Sequence, residues 1–361
     1  MRRSVRWMIA VAVTAMCVWP SIPVNEAQAA APQRLVPIMT QNMDEGTGFG
    51  PLLIAGSLPE FVAAVTATYQ EVQASKPEER AAAVAHEIAL ARPTLVGLQE
   101  VALWRTGPLG SSNATSVQID QLGSLMRALD AQGAHYAPLY VETNLDVGAP
   151  STLGYQVRAT DRNVVLARTD LSPSEFKVLR VKAGQFVNVL TVPSVVGPVS
   201  VPRSWIAVDA QIRGTVYRFI TTHLDASDPS VQVAQGNELL QGPANTTLPV
   251  VIAGDLNSAA SGGPDLTATY NNLRNAGFAD AWTLANPSDP GFTWPLHAED
   301  PYTFVLPPPL SERIDLVLVR NNIRVSAAGR VGFTPAALTR SGLWPSDHAG
   351  VAVTLVMPDT E

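Results

Sequence analysis

Short apolar runs that each end in polar residues recur along this chain, and they constrain its fold more than any other feature. The runs Val36–Asn42, Thr94–Glu100 and Val250–Asn257 begin with apolar residues, many of them β-branched, as buried strands do. Between the first two runs, Pro59–Ala74 and Pro77–Ala91 have helical spacing, and the second stretch opens with Pro, Glu and Glu, a typical helix start. Strands interspersed with helices predict an α/β sandwich rather than a helical bundle.

Further β-like runs and one more helix extend this pattern to the C-terminus. The predicted helix spans Ser116–Gln132 and is closed by Gly133. The Pro-rich segment Leu306–Leu310 is predicted to be a loop. The other predicted strands are Tyr136–Val141, Asn163–Ala167, Trp205–Ile212, Thr215–Leu224, Ile314–Val319 and Gly350–Val356.

The N-terminus has the composition of a secretory signal peptide. Three Arg precede the apolar stretch Trp7–Trp19, whose 13 residues are fewer than a bilayer span needs. The sequence Ala-Gln-Ala at 27–29 suits cleavage directly after it. We therefore expect residues 1–29 to be removed and residues 30–361 to form a single domain in a secreted or periplasmic protein. A retained membrane anchor is the alternative.

Composition and charge exclude several classes of function. The only cysteine, Cys17, lies inside the N-terminal segment, so the remaining chain has no disulfide, thiol nucleophile or thiolate metal site. Removing residues 1–29, which carry three Arg and one Glu, changes the formal charge from −7 to −9. A protein this acidic lacks the broad basic surface that holds nucleic acid through many phosphate contacts. A bound metal ion can still reverse the sign of the charge locally.

The polar residues at the ends of the predicted strands are of the kinds that bind divalent cations and transfer protons. Carboxylate and amide oxygens suit Mg²⁺, whereas imidazoles suit proton transfer or hydrogen bonding to a phosphoryl group. Asp255 and Asn257 lie two positions apart, so both can address one ligand from an extended segment, with an ordinary turn as the alternative. Each member of the set, taken alone, also has a structural explanation. The set is Asn42, Glu100, His223, Asp255, Asn257, Asp315, Asp347 and His348.

Six short motifs around these residues resemble those of the endonuclease/exonuclease/phosphatase superfamily. This superfamily includes DNase I-like nucleases, neutral sphingomyelinases and inositol polyphosphate 5-phosphatases. Any one tripeptide is a weak match, but six in family order, across nearly all of the chain after the N-terminal segment, are specific. The motifs are TQN at 40–42, LQE at 98–100, THL at 222–224, GDLN at 254–257, RID at 313–315 and SDH at 346–348.

The resemblance implies a fold and a metal site. The fold would be a DNase I-like, four-layered α/β/β/α sandwich with the active site at one rim of two packed sheets. Asn42 and Glu100 would bind Mg²⁺ or Mn²⁺, and Asp347 would support the neighbouring metal or histidine geometry.

The resemblance also implies the catalytic roles. Asp255 would orient or deprotonate the attacking water, and Asn257 would align that water and contact a phosphoryl oxygen. His348, oriented by Asp315, would donate a hydrogen bond to the scissile phosphate. His223 would be the second histidine, which assists the leaving group or binds phosphate.

Three further residues are candidates for substrate binding: Glu142, Arg162 and Asn163. In the DNase-like branch a Glu pairs with the first histidine, and Glu142 would take that place unless it is an exposed strand-end residue. Arg162 and Asn163 precede VVLAR, which resembles the family's strand in that region. Arg162 would bind phosphate as a bidentate donor, with an ordinary surface Arg as the alternative. Trp294 would line the substrate cleft or belong to the core.

The implied function is a secreted, metal-dependent phosphoric ester hydrolase that uses an activated water on a phosphodiester or phosphomonoester, with a nuclease or phosphodiesterase favoured. The substrate would be nucleic acid, a phospholipid head group or a small phosphoester. No obligate protein partner is evident, and we expect a monomer. One alternative is a sphingomyelinase-like lipid phosphodiesterase, for which Leu190–Val201 would be an interfacial apolar hairpin, although a buried hairpin explains it equally well. The other is a non-catalytic secreted binding protein on the same fold.

Overall fold

Two β-sheets with helices on their outer faces make up the protein in the computed structural model, which describes residues 34–110, 114–263, 266–297 and 306–359. The chain from Arg34 onward forms one compact unit. The expected signal peptide, residues 1–29, lies outside the described residues, and its removal stays a prediction.

The first sheet has eight strands in the order β15-β16-β1-β2-β6-β3-β4, and β5 also pairs with β6. β1 is parallel to β2, whereas β16 is antiparallel to β1. Its strands are β1 (Leu35–Asn42), β2 (Leu95–Gln99), β3 (Leu103–Pro108), β4 (Ser116–Asp120), β5 (Tyr136–Pro150), β6 (Tyr155–Arg168), β15 (Arg324–Val331) and β16 (Gly350–Val356).

The second sheet has six strands in the order β13-β14-β12-β11-β10-β7. β11 is parallel to β12, and β14 is antiparallel to β12. Its strands are β7 (Phe176–Gln185), β10 (Ser204–Ile212), β11 (Thr215–Thr222), β12 (Val250–Asp255), β13 (Ala279–Asp280) and β14 (Asp315–Arg320). A separate antiparallel hairpin consists of β8 (Leu190–Val192) and β9 (Val199–Val201).

The helices cover the outer faces of both sheets. Val84 and Leu125 pack on the first sheet, and Leu239 and Leu273 pack on the second. None of the helices among the described residues is long and apolar enough to cross a bilayer. The helices are α1 (Gly50–Leu53), α2 (Leu58–Ala74), α3 (Pro77–Ala91), α4 (Gln121–Ala131), α5 (Pro229–Gln241), α6 (Ala268–Asn275) and α7 (Ala281–Ala285), with a 3₁₀ turn at Pro335–Ala337.

A third apolar layer lies between the two sheets. Ile38 and Val351 of the first sheet and Phe219 and Val251 of the second are all buried in one core. Successive residues of a strand point to opposite faces, so one set of alternating side chains fills this core and the other meets the helices. The predicted four-layered α/β/β/α sandwich is confirmed.

The clearest error in the predicted elements is the helix Ser116–Gln132. Its first five residues form β4, which pairs with β3, and the helix begins only at Gln121. β-branched Val117 and Ile119 favour the extended state, and pairing with β3 supplies their backbone hydrogen bonds. The strand predicted at Tyr136–Val141 is also too short, because β5 continues along β6 as far as Pro150.

Candidate active site

The strand directions bring the predicted polar residues to one edge of the two sheets. Asn42 ends β1 and Glu100 follows β2, which is parallel to it. In the second sheet, His223 follows β11 and bridges to Asp255 at the end of β12. Carboxyl ends of parallel strands share an edge, so these four residues meet although they are far apart in sequence.

Antiparallel strands deliver the remaining members from their N-terminal ends. Asp315 begins β14 and lies directly opposite Asp255 in the β12–β14 register. His348 lies two residues before β16, which runs antiparallel to β1. The first sheet therefore contributes Asn42, Glu100, Asp347 and His348, and the second contributes His223, Asp255, Asn257 and Asp315.

The buried carboxylate of Asp255 lies at the centre of the cluster. Its Oδ2 accepts a hydrogen bond from Asn42 Nδ2 at 3.1 Å and lies 3.5 Å from Nε2 of His223 and 3.9 Å from Nε2 of His348. Its Oδ1 accepts from the backbone N–H of Asn257 at 2.9 Å. Burial raises the pKa of Asp255 to about 6, and the Asp315 carboxylate acts in the same direction. At neutral pH the group is therefore mostly ionised and still basic enough to accept a proton.

His348 has a carboxylate partner on its other nitrogen. Nδ1 of His348 lies 2.8 Å from Oδ2 of Asp315, and both residues are buried. Burial by itself lowers the pKa of His348, but the carboxylates of Asp315 and Asp347 outweigh it and hold this pKa well above its usual value. The imidazolium is therefore the stable form, and its Nε2–H points towards Asp255. The predicted Asp315–His348 contact is present.

His223 has a cationic partner instead. NH1 of Arg203 lies 3.1 Å from Nδ1 of His223, in the place where the sequence suggested Glu142. Burial lowers the pKa of His223 well below its usual value, and the positive charges of Arg203 and His348 add to this effect. Arg203 was missed because it lies just before β10. Polar residues at the C-terminal ends of apolar runs indicate the active-site edge for the parallel strands, but β10 is antiparallel to β11 and starts at that edge.

The acidic residues fit a divalent cation. Glu100, His223 and Asp255 offer ligand atoms within 4.8 Å of one another. Burial and, after it, the Asp347 carboxylate raise the pKa of Glu100 to about 8. A hard cation with oxygen ligands would relieve this crowding of negative charge. Asn42 directs Nδ2, not its oxygen, at Glu100 and Asp255, and its Oδ1 accepts from the backbone N–H of Asp44 at 2.9 Å. A metal-binding Asn42 would have to turn its amide.

Asn257 and Asp347 frame the cluster. Asn257 has a left-handed backbone with φ 45°, and its Nδ2 donates to the carbonyl of Leu224 at 3.0 Å, so it fixes the loop that follows His223. Asp347 Oδ2 lies 3.8 Å from Nε2 of His348. Asn257 as a phosphoryl contact and Asp347 as a support for the metal remain predictions.

The three candidate substrate-binding residues are engaged elsewhere or lie outside the cluster. The guanidinium of Arg162 donates to the carbonyls of Val101 and Ala102 and pairs with Asp120 at 2.8 Å. Asn163 is fully buried, and its Nδ2 donates to Ser204, the residue after Arg203. Glu142 is half-buried on β5 opposite Asn163 in the register. Substrate binding by these residues stays a prediction, while their contacts are structural.

A second layer of acidic residues surrounds the cluster. Burial raises the pKa of Asp44 and, well above its usual value, that of Glu45. The backbone N–H of Glu45 donates to Glu100 Oε2 at 3.1 Å. Arg80 holds Asp44 from behind at 3.0 Å. Trp294 is half-buried, and its ring centre lies 6.4 Å from that of His348, so it lines this edge as the sequence suggested.

The fold is shared with known proteins. The Endonuclease/Exonuclease/phosphatase family model matches residues 39–348. No curated protein matches the sequence significantly. Among solved structures, a family protein from Bacteroides thetaiotaomicron is 17% identical with a TM-score of 0.54, and the match covers 90% of this chain and 98% of that one.

Two further similar structures carry more specific descriptions. TDP2 from D. rerio, complexed with single strand DNA product, is 18% identical with a TM-score of 0.51 over 89% of this chain and 98% of that one. A mannosyl-6-phosphatase from Bacteroides thetaiotaomicron is 18% identical with a TM-score of 0.51 over 89% of this chain and all of that one. At these identities the likeness establishes the fold alone. The family model runs from within β1 to His348 and so takes in every strand end that contributes to the cluster, which places this chain in the Endonuclease/Exonuclease/phosphatase family.

Proposed function

We propose that this protein is an exported hydrolase that cleaves a phosphodiester with an activated water and needs Mg²⁺ or Mn²⁺. The observation that carries the proposal is the position of Asp255, whose Oδ2 lies within 3.9 Å of the Nε2 atoms of His223 and His348. The partners of these two histidines have charges of opposite sign. One histidine is held by a carboxylate and the other by a guanidinium. A base beside two N–H donors can take a proton from an attacking water while the donors stabilise charge at the phosphoryl group.

The residues divide the reaction among them. Asp255 accepts a proton from the attacking water while the new O–P bond forms. His348, as the imidazolium held by Asp315, donates its Nε2 proton to the departing ester oxygen as the old P–O bond breaks. His223 donates a hydrogen bond to a phosphoryl oxygen. A cation held by Glu100, with Asn42 and Asp347 as further candidate ligands, would supply charge neutralisation at the phosphoryl group.

The charge of the site favours a diester over a monoester. Arg203 is the guanidinium nearest the cluster among the described residues, and it already lies 3.7 Å from the carboxylate of Asp161. Glu45 and Asp44 place two further carboxyl groups beside Glu100, where burial and mutual repulsion raise their pKa values and disfavour added negative charge. A phosphodiester brings one negative charge and a monoester brings up to two, so the second charge would be poorly compensated here.

The hairpin β8–β9 speaks against the sphingomyelinase alternative. The exposed side chains of its two strands are Thr191 and Ser200, whose hydroxyl oxygens lie 3.0 Å apart, whereas Leu190 and Val192 are half-buried. An interfacial hairpin would present several apolar side chains outward, whereas the segment 190–201 exposes one large apolar side chain, Val196, at its turn. We therefore favour a soluble diester, such as a nucleic acid.

A substrate panel tests this function. The purified protein is assayed with bis-p-nitrophenyl phosphate, p-nitrophenyl phosphate, single- and double-stranded DNA, RNA, sphingomyelin vesicles and inositol phosphates, with Mg²⁺ and then with EDTA. We expect the diester to be cleaved faster than the monoester, and EDTA to stop the reaction. Faster cleavage of the monoester, or undiminished turnover in EDTA, would contradict the proposal. No hydrolysis in any arm would favour the non-catalytic alternative.

A further inference from the structure

The contact between Arg203 and His223 determines where the imidazole carries its proton. NH1 of Arg203 lies 3.1 Å from Nδ1 of His223. A guanidinium has only donors and does not lose its proton in proteins, so Nδ1 must supply a lone pair. The proton of the ring then lies on Nε2, which faces Asp255 Oδ2 at 3.5 Å and Glu100 Oε1 at 3.9 Å.

Arg203 is held in place by residues of three strands. NH1 of Arg203 lies 3.7 Å from Oδ2 of Asp161 on β6, and that oxygen accepts from Nδ2 of Asn144 on β5 at 3.0 Å. Ser204, the next residue on β10, donates through its hydroxyl to Oδ1 of Asn144. Asp161, Asn144 and Ser204 are buried, and the ion pair with Asp161 orients the guanidinium towards His223.

We propose that Arg203 is a positioning residue that fixes His223 as the neutral Nε2–H tautomer, and so makes it a hydrogen-bond donor instead of a base or a metal ligand. The donor role at the phosphoryl group rests on the function proposed above, whereas the tautomer does not. The two histidines thereby divide their tasks: Asp315 keeps a transferable proton on His348, and Arg203 keeps His223 uncharged.

The geometry supports this division in two ways. If Nδ1 carried the proton, its N–H would point at the guanidinium of Arg203. The hydrogen bond between the two groups would be lost, and two positively polarised groups would repel each other. A metal at Nε2 would need the lone pair that the fixed proton occupies, although His223 lies close enough to Glu100 and Asp255 to be considered a ligand.

Nuclear magnetic resonance tests the tautomer without any substrate. In protein labelled with ¹⁵N-histidine, long-range ¹H–¹⁵N correlations show which ring nitrogen carries the proton, and His223→Asn identifies the signals among five histidines. At pH 6 we expect His223 to carry a proton on Nε2 alone. In Arg203→Met we expect a proton on Nδ1 of His223 in part of the molecules. In Arg203→Lys the ammonium can still donate to Nδ1, so a larger fraction of the molecules should keep the proton on Nε2. A doubly protonated His223 in the original protein, or a spectrum unchanged by Arg203→Met, would overturn the proposal.

A double-mutant cycle then separates positioning from direct substrate contact. Arg203→Met should lower kcat by about 10- to 100-fold, as loss of an orienting partner of a functional histidine does. In the His223→Asn background the same change should alter kcat less than about twofold, because its effect passes through the ring. Independent losses that multiply would overturn the proposal. Arg158→Met is the matched control, since Arg158 lies on β6 near Asp161 but pairs with Asp146.

Metal affinity provides a third readout. Titration of the metal-free protein with Mn²⁺, followed by electron paramagnetic resonance, should give the same affinity for His223→Asn as for the original protein. A tenfold weaker affinity would show that His223 is a ligand and would overturn the proposal. If no phosphoester is hydrolysed, the proposed function fails, while the tautomer and the Mn²⁺ titration still decide the role of Arg203.

Discussion

Replacing Asp315 with Asn should move the whole pH–rate profile to lower pH. The substitution keeps the size of the side chain and removes the charge that faces Nδ1 of His348 at 2.8 Å. It also removes a negative charge that raises the pKa of Asp255, the residue opposite in the β12–β14 register. One substitution therefore acts on both the base and the acid of the proposed reaction.

The size of the shift follows from the geometry of the pair. A hydrogen bond to a charged group contributes about 1.5–3 kcal/mol, and about 1.4 kcal/mol corresponds to one pKa unit. Losing the carboxylate should lower the pKa of His348 by about one to two units. The base-side limb of the profile should then move to lower pH by the same amount, because the imidazolium is the active form. The acid-side limb should also move to lower pH, because Asp315 helps to raise the pKa of Asp255 to about 6 and its charge is lost in the variant.

The assay is kcat/KM against pH for the best diester of the substrate panel, at saturating Mg²⁺. Asp209→Asn is a suitable control, since it removes a carboxylate on the same sheet that pairs with Arg218 at 2.6 Å instead of with His348. A profile for Asp315→Asn that keeps its position, or limbs that move in opposite directions, would refute the coupling between Asp315 and the two catalytic groups.

Three further outcomes are expected. Asp255→Ala and His348→Ala should each lower kcat by about 100-fold or more while the protein stays folded by circular dichroism, and near-normal activity in either would remove that residue from the mechanism. Arg162→Met should lower the free energy of unfolding in urea by about 1–3 kcal/mol, because it takes a donor from the buried carbonyls of Val101 and Ala102, the second of which keeps its bond from the Gln121 N–H; an altered KM at unchanged stability would instead support substrate binding. Metal-free protein should lose stability between pH 6.5 and 8, because Glu100 (pKa about 8) and His348 bind protons more tightly when folded, and saturating Mg²⁺ should flatten this slope. A flat slope without metal would contradict these pKa directions.

Much of the site could be predicted because strand ends are a local property. An apolar run followed by Gly-Asp-Leu-Asn shows where β12 stops, and the same reasoning applies to Asn42 and Glu100. Parallel pairing then brings such ends to one edge with no further information. The Asp315–His348 pair needed the resemblance as well, since nothing within either motif shows that their strands, in different sheets, meet.

The errors have a common physical cause, which is that a side chain's partner depends on tertiary register. Arg162 was expected to bind a phosphate. However, β6 runs beside the turn after Glu100, and the guanidinium of Arg162 donates to the carbonyls of Val101 and Ala102 in that turn. Ser116–Asp120 was assigned to a helix because its pattern continues into α4, and pairing with β3 decided otherwise. Neither contact is local: the carbonyls lie about 60 positions before Arg162, and β3 precedes β4 across a loop.

Arg203 shows what sequence reasoning must add to find such residues. Polar residues at the starts of strands are as informative as those at the ends whenever the sheet is antiparallel, because half of its strands enter at the active-site edge. Arg203, Asp315 and His348 all precede or begin such strands. A search restricted to C-terminal ends would recover the base and the metal ligands but lose the groups that set the protonation of the histidines. In this chain the parallel strand ends therefore supply the acidic centre, and the antiparallel strand starts supply the charges that tune it.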